Sequence, residues 1–240
     1  MSFRLFSKKM ETPLQAAYRE RLLARTLTEE EKEMAAYPLE QWRQADRTAL
    51  KGYCCRVASP VSLAFLTPFD AQHPLLRRVA IHKGPVVDLA LDAIVNAANE
   101  ACLGGGGVDG AIHSAAGPLL QRECATFSGC PTGECLITKG YNLPARYVIH
   151  TVGPVGEREE LLRCCYRNVL DLAAVDRIET IGLCGISTGV YGYPLRAAAR
   201  VATEEVCAFL KHNTTVRMVC FACFKSEEVD AITEALKLCN

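Results

Sequence analysis

This chain of 240 residues is short of a charge excess, of long apolar runs and of the paired ligands of a closed metal site. Lys plus Arg and Asp plus Glu number 27 each, so the sequence offers neither the basic excess that nucleic acid attracts nor an acidic solvating tail. A bound phosphate would therefore be held by backbone dipoles rather than by a lysine cluster. No stretch of about 18 uncharged apolar residues occurs, which argues against a membrane-spanning helix. Cys220 and Cys223 form a C-x-x-C, but they lie in the apolar run "MVCFACF". On a strand that spacing sends the thiols to opposite faces, and no second pair completes a site, so no metal is expected.

What is present begins with thirteen cysteines, set in apolar segments such as "GLCGI" and "LKLCN" and not preceded by a secretory h-region. They read as buried free thiols of a reducing, intracellular compartment, cytoplasm or nucleus. The start "MSFRLFSKK" has no acid before Glu11 and also fits a short mitochondrial presequence, though an ordinary disordered start is the favoured reading.

From Glu11 to about Lys51 the chain is charge-dense, with Leu14, Ala17, Tyr18, the stem of Arg21 and Leu22 at helical intervals. Thr28 and Glu31 have the spacing of a capping box, and "YPLEQW" reads as a turn into another helical turn. The expectation is a helical extension that packs on the main domain. Residues 52–78, with Pro60, Pro68 and Pro74, read as an irregular connector, giving an extension and connector over 1–78 and a main domain over 79–240.

Beyond Val79, apolar runs of strand length alternate with helical segments: "RRVAIHK", "DAIVNAA", a helix over 108–126, "ECLITKG", "RYVIHTV", a helix over 158–174, "TIGLCGI", a helix over 194–211, "VRMVCFACF" and a helix over 226–238. Strands apolar on both faces and separated by helices imply a largely parallel sheet covered on both sides. Ligands of such sheets bind where strands end at their carboxyl edge. Three loops there carry more small and polar residues than a turn needs: "NAANEACLGGGGVDG", "HTVGP" and "STGVYGYP".

Gly105, Gly107 and Gly110 formally satisfy the dinucleotide fingerprint G-x-G-x-x-G. Its context is wrong. Nine residues separate Val95 from Gly105, and the next strand-like run begins with Glu134 instead of ending in an acid. What remains is bare backbone before a helix starting near Val108, which can turn N–H groups and a helix dipole toward an anion. Ser187, Thr188 and Gly189 offer a second set of donors, and two such loops at neighbouring strand ends suit a diphosphate. Tyr191 and Tyr193 either close over it or pack. Asn96 either pins the loop or serves the site, and Asn99, nearer the glycines, is the better ligand candidate. Asp109 and His113, four apart, share a helix face. Beside a phosphate loop they are candidates for orienting water and a sugar hydroxyl.

The segments "DAIVNAANEACLGGGGVDGAIHSAAGP", "TGECLITKGYNLPARYVIHTVGP" and "ISTGVYGYP" resemble the macrodomains of the MacroD type, in order and spacing, from about Val79 to Asn240. The resemblance implies a three-layer α/β/α fold around a mixed, largely parallel sheet. It implies ADP-ribose binding, removal of single ADP-ribose units from Asp and Glu side chains of proteins, and hydrolysis of O-acetyl-ADP-ribose, with no cofactor. By position, Asn99 and Asp109 match the catalytic pair near the distal ribose, with His113 on the same helix behind them. Gly105, Gly106, Gly107 and Val108, and Ser187, Thr188, Gly189, Val190 and Tyr191, match the diphosphate loops, with Tyr191 beside the distal ribose. Phe224 matches a position that packs on adenine. The family's usual Asp for the adenine amino group is replaced in Gly84-Pro85, and Asp88 is the nearest acid. The expected partners are ADP-ribosylated proteins, ADP-ribose and O-acetyl-ADP-ribose, with no membrane, no specific nucleic acid and a monomeric state. The alternative is a reader that binds ADP-ribose without cleaving it, although a pure binder has no need of an acid at Asp109.

Overall fold

The computed structural model describes residues 12–239, so the reading of the start "MSFRLFSKK" lies outside the described residues. The extension forms helices α1 (Pro13–Ala24), α2 (Glu29–Ala36) and the single turn α3 (Leu39–Trp42). Strand β1 (Val61–Ser62) follows in the connector, then β2 (Val79–Lys83), β3 (Leu89–Ala90) and β4 (Ala93–Ala98). Next come α4 (Gly107–Ala116), α5 (Pro118–Ala125), β5 (Cys135–Lys139), β6 (Tyr147–Val152) and α6 (Glu159–Val175). The chain ends with β7 (Thr180–Leu183), α7 (Leu195–His212), β8 (Met218–Cys223) and α8 (Ser226–Leu236).

Six strands form one sheet in the order β2-β8-β7-β4-β6-β5, and β1 pairs with β3 apart from it. Every pairing in the large sheet is parallel except β5 with β6. The sheet is thus mixed and largely parallel. Helices α6, α7 and α8 pack on one another and on strands, while α4 and α5 pair with each other and lie on β4 and β5, completing a three-layer α/β/α fold. Strands β6 and β8 are buried at every position, as a sheet covered on both sides requires.

One expected element is divided. The helix read over 108–126 breaks between α4 and α5 at Gly117, whose φ of 86° and ψ of −178° suit only glycine. Pro118 forbids α geometry in the residue before it and is itself at home in the first turn of α5.

The extension also docks differently from the apolar stripe read in it. Its capping box is present, with Glu31 N donating to Thr28 Oγ1 at 3.2 Å and Thr28 N to Glu31 Oε2 at 3.1 Å. Yet no residue of α1 is buried, and Leu14 is 82% exposed. Helix α1 is held on α5 by guanidinium groups. Arg19 donates to the carbonyls of Cys124, Ala125, Phe127 and Ala101, and Arg122 donates back to those of Leu22 and Arg25. Further along, Arg47 donates to the carbonyls of Tyr141, Leu143, Pro144 and Ala145. The ammonium of Lys139, a residue only 5% exposed, donates to the carbonyls of Met34, Ala35 and Tyr37 at the end of α2. That ammonium lies 5.7 Å from the Trp42 ring centroid and 5.5 Å from that of Tyr141. Met34 and Trp42 belong to the same apolar cluster as the strands.

Candidate functional site

Strands β2, β8, β7, β4 and β6 are parallel neighbours, so their carboxyl ends open on one edge in that order. The loops there are Gly84–Asp88 after β2, Phe224 after β8, Cys184–Tyr191 after β7, Asn99–Gly106 after β4 and Gly153 onward after β6. With strands about 4.8 Å apart, the row from β2 to β4 spans roughly 14 Å. The three loops singled out in the sequence emerge from the adjacent strands β7, β4 and β6, because β4 pairs directly with both others.

The glycine loop is folded back on its own helix. Asn99 Nδ2 donates to Gly104 O at 3.0 Å, and Ala101 N donates to Asn99 Oδ1 at 3.1 Å. Gln121 Nε2 holds Leu103 O at 2.6 Å. A Cβ on Gly110 would lie 2.5 Å from Gly105 O, and one on Gly105 would lie 2.9 Å from Asp109 Oδ2. These two glycines therefore permit the close approach of loop and helix, while a Cβ on Gly106 or Gly107 would meet nothing within 4 Å. Gly107 needs its left-handed φ of 59°. The N-cap, Gly106, makes no side-chain capping bond, and Gly105, Gly106 and Gly107 are exposed. Main-chain N–H groups and the positive end of α4 thus face outward, an arrangement suited to an anion.

The loop after β7 is built alike. Ser187 has a φ of 64°, unusual for a residue with a side chain, and its buried Oγ has no hydrogen-bond partner among the described residues. A side chain at Gly153 would collide with that hydroxyl, which fits the third loop against the second. Gly156 N donates to Tyr191 O at 2.7 Å and ties the two together. Val190 is fully exposed and Tyr191 half-buried, whereas Tyr193 is buried with its hydroxyl unpartnered. Gly185, Thr188, Leu195, Cys223 and Glu228 line a cavity beneath this loop. Phe224 stands 71% exposed at the end of β8, its N–H donating to Glu228 Oε2 at 2.7 Å. Asp88 lies half-buried in the 3-10 turn that Pro85 opens.

Between the glycine loop and the sheet lies a buried polar group. Asn96 Nδ2 donates to Asp109 Oδ1 at 2.7 Å, and His113 Nε2 lies 3.5 Å from the same oxygen. Among the described residues, Asp109 Oδ2 and both His113 nitrogens have no hydrogen-bond partner. Burial raises the Asp109 pKa above the ordinary carboxyl range, against the hydrogen bond from Asn96 and the nearby His113. Burial also lowers His113, against the attraction of Asp109, so the pair is a carboxylate beside a neutral imidazole and not an ion pair at neutral pH. Helical spacing places Asp109 and His113 on one face, as expected from the sequence. Of the two asparagines, Asn99 anchors the loop while Asn96 touches the acid.

His150 and Thr138 were not singled out from the sequence. Asn96 Nδ2 lies 3.0 Å from His150 Nδ1, and Thr138 Oγ1 lies 2.9 Å from His150 Nε2. The available signal was a histidine inside the apolar strand "RYVIHTV", which by itself reads as a core histidine. His113, Cys124 and His150 bring possible ligand atoms within 4.8 Å of one another. Both nitrogens of His150 are engaged in hydrogen bonds, and burial drives the Cys124 thiol far above its usual pKa.

The family model described as Macro domain matches residues 95–202. A Macro domain-containing protein of Methanosarcina mazei is 52% identical over 164 residues, which cover 66% of this chain and 88% of the relative. The ADP-ribose glycohydrolase MACROD1 of Bos taurus is 44% identical over 193 residues, covering 78% of this chain and 57% of the relative. The crystal structure of a Trypanosoma brucei macrodomain in complex with ADP-ribose matches with a TM-score of 0.91 and 52% identity, over 95% of this chain and 97% of that one. Coverage that wide takes in most of the segment before Val79.

Proposed function

The chain belongs to the Macro domain family, and from that premise we propose that it binds ADP-ribose along the row of loops and releases it from Asp and Glu side chains of modified proteins. The observation that carries this reading is Asp109 Oδ2, a buried carboxylate oxygen left without a partner beside the anion-ready glycine loop. A relative and a matching structure point the same way: one is named an ADP-ribose glycohydrolase, and the other is a macrodomain bound to ADP-ribose.

In this reading residues 79–240 are the macrodomain and residues 1–78 its extension and connector. The diphosphate lies between Gly105–Val108 and Ser187–Tyr191, on main-chain N–H groups and hydroxyls. The distal ribose then meets Asn99, Asp109 and Tyr191, and the adenine lies toward Phe224, where Pro85 stands in place of the family's Asp and Asp88 is the nearest acid of that loop. The scissile bond is an ester, already labile, so holding a water in place supplies much of the barrier reduction. Asp109 Oδ2 accepts a hydrogen bond from that water, the ligand's diphosphate fixes it from the other side, and His113 remains behind the acid as a neutral ring. The products are the free side-chain carboxylate and ADP-ribose. The acetyl ester of O-acetyl-ADP-ribose presents the same bond to the same water.

The test is a linkage-resolved assay on proteins carrying single ADP-ribose units through Glu, Ser or Arg. Release from the Glu-linked protein, with the other two poor substrates, is the expected result. Tight retention of the Glu-linked protein without loss of label would leave a reader and overturn the hydrolase reading.

A further inference from the structure

Behind Asp109 a chain of hydrogen bonds runs through three neighbouring strands. Thr138 is on β5, His150 on β6 and Asn96 on β4, and Asn96 and His150 are direct register partners. The distances along the chain are 2.9 Å from Thr138 Oγ1 to His150 Nε2, 3.0 Å from His150 Nδ1 to Asn96 Nδ2, and 2.7 Å from Asn96 Nδ2 to Asp109 Oδ1. Asn96 and His150 are wholly buried, so no solvent molecule substitutes freely for any link.

The donor and acceptor roles follow from valence. An ionised carboxylate only accepts, so one N–H of the Asn96 amide donates to Asp109 and the second donates to His150 Nδ1. Nδ1 must then carry no proton, and a neutral ring carries its proton on Nε2, facing Thr138 Oγ1. Turning the amide over would bring Asn96 Oδ1 against the Asp109 carboxylate, which is repulsive unless Asp109 is protonated. The tautomer of His150, the orientation of Asn96 and the ionisation of Asp109 are one coupled state.

We propose that His150, its proton on Nε2 facing Thr138 Oγ1 and its bare Nδ1 facing the Asn96 amide, is a positioning residue: through Asn96 it keeps the buried Asp109 ionised, with Oδ2 turned toward the substrate. This rests on the reading of Asp109 as the reacting carboxylate. Burial lowers His150 to a pKa of about 3, so the ring stays neutral wherever a carboxyl titrates. The Asn96 bond is the largest influence opposing the effect of burial on Asp109. The other titratable groups facing Asp109 are His113 on its own helix, Cys124 on α5 and Cys184 beyond β7. Burial disfavours the charged form of each, raising Cys184 to about 12, so none supplies a charge that would make the amide link redundant at neutral pH.

Two measurements on the full chain test this. Nitrogen NMR of ligand-free wild-type protein, from about pH 5 to about pH 9, should show His150 neutral and protonated on Nε2 throughout; a ring protonated on Nδ1 overturns the proposal. Carboxyl-carbon NMR then follows the Asp109 titration in His150→Leu, which lacks the acceptor, and in His150→Asn, whose Oδ1 restores one near the Nδ1 position. The expected result is a midpoint raised by about one pH unit in His150→Leu and returned toward wild type in His150→Asn. The acid limb of kcat should move with it, while KM stays within about threefold. An unmoved midpoint in a folded His150→Leu overturns the proposal, and if that variant does not fold, the wild-type tautomer decides alone. Failure of the reading of Asp109 as the reacting carboxylate would show separately, as unreduced turnover in Asp109→Asn, and would leave the NMR titration valid.

Discussion

Asp109 is held where an aspartate is uncomfortable. It is 4% exposed, has one oxygen unpartnered, and faces a histidine that burial keeps neutral. Because folding raises its pKa, the native state retains this proton to higher pH than the unfolded chain does. Stability therefore falls as pH rises through the window from the ordinary carboxyl value up to the raised one, and the loss persists at neutral pH. Asp109→Asn keeps an acceptor for Asn96 and removes the buried charge. It should raise Tm at neutral pH while lowering kcat by about a hundredfold or more; calorimetric melting and the release assay check the pair of effects, and a lowered Tm with intact turnover would contradict both. The pH profile of the wild type should place its acid limb above the ordinary carboxyl range, because turnover needs the ionised form.

At the scale of elements, the glycine loop and α4 act as one unit through the contact between Gly105 O and Gly110. Gly110→Ala should push the loop outward, lowering Tm and weakening ADP-ribose binding by about tenfold or more. Gly106→Ala, whose Cβ meets nothing within 4 Å among the described residues, should leave Tm unchanged and still weaken binding, because the proposed function puts the diphosphate in that space. Melting curves with calorimetric titration distinguish the two variants. The six strands of the large sheet, the loops after them and the shared face of Asp109 and His113 were legible in the sequence, since all follow from periodicity and local spacing, whereas the two-residue strands β1 and β3 are too short to show a period. The break at Gly117 was missed: the Gly-Pro pair signals it, but an amphipathic pattern continuing across it hid the boundary. The link from His150 to Asn96 was not legible. Its members are 54 residues apart and meet only through strand register, which no local pattern reveals.

For the whole molecule, the same limit applies to the extension. Periodicity detects apolar stripes, and of the one it suggested along α1 Leu14 and Ala17 stay exposed while Tyr18 and Leu22 are half-buried, whereas Met34 and Trp42 in the core and cations on main-chain carbonyls fasten the extension. Arg19 reaches Ala101 O in the loop leading to the glycines, and Arg47 grips the 141–145 segment, at the opposite edge of the sheet from the row of loops. Arg47→Ala strands several carbonyls and should cost about 3 kcal/mol of stability, read as a fall in Tm, with ADP-ribose affinity within about threefold of wild type. Lys139 takes the dependence further. All its ammonium's carbonyl acceptors, on Met34, Ala35 and Tyr37, come from the extension, and burial already lowers its pKa. A chain shortened to begin after this brace would leave that buried amine without its carbonyl acceptors, with the Glu123 carboxyl and the Tyr141 ring as its neighbours. Lys139→Met, harmful in the full chain, should then partly rescue the shortened one. The segment before the sheet and one lysine within it form a suppressor pair, so neither can be lost in evolution without first changing what the loss of the other would mean.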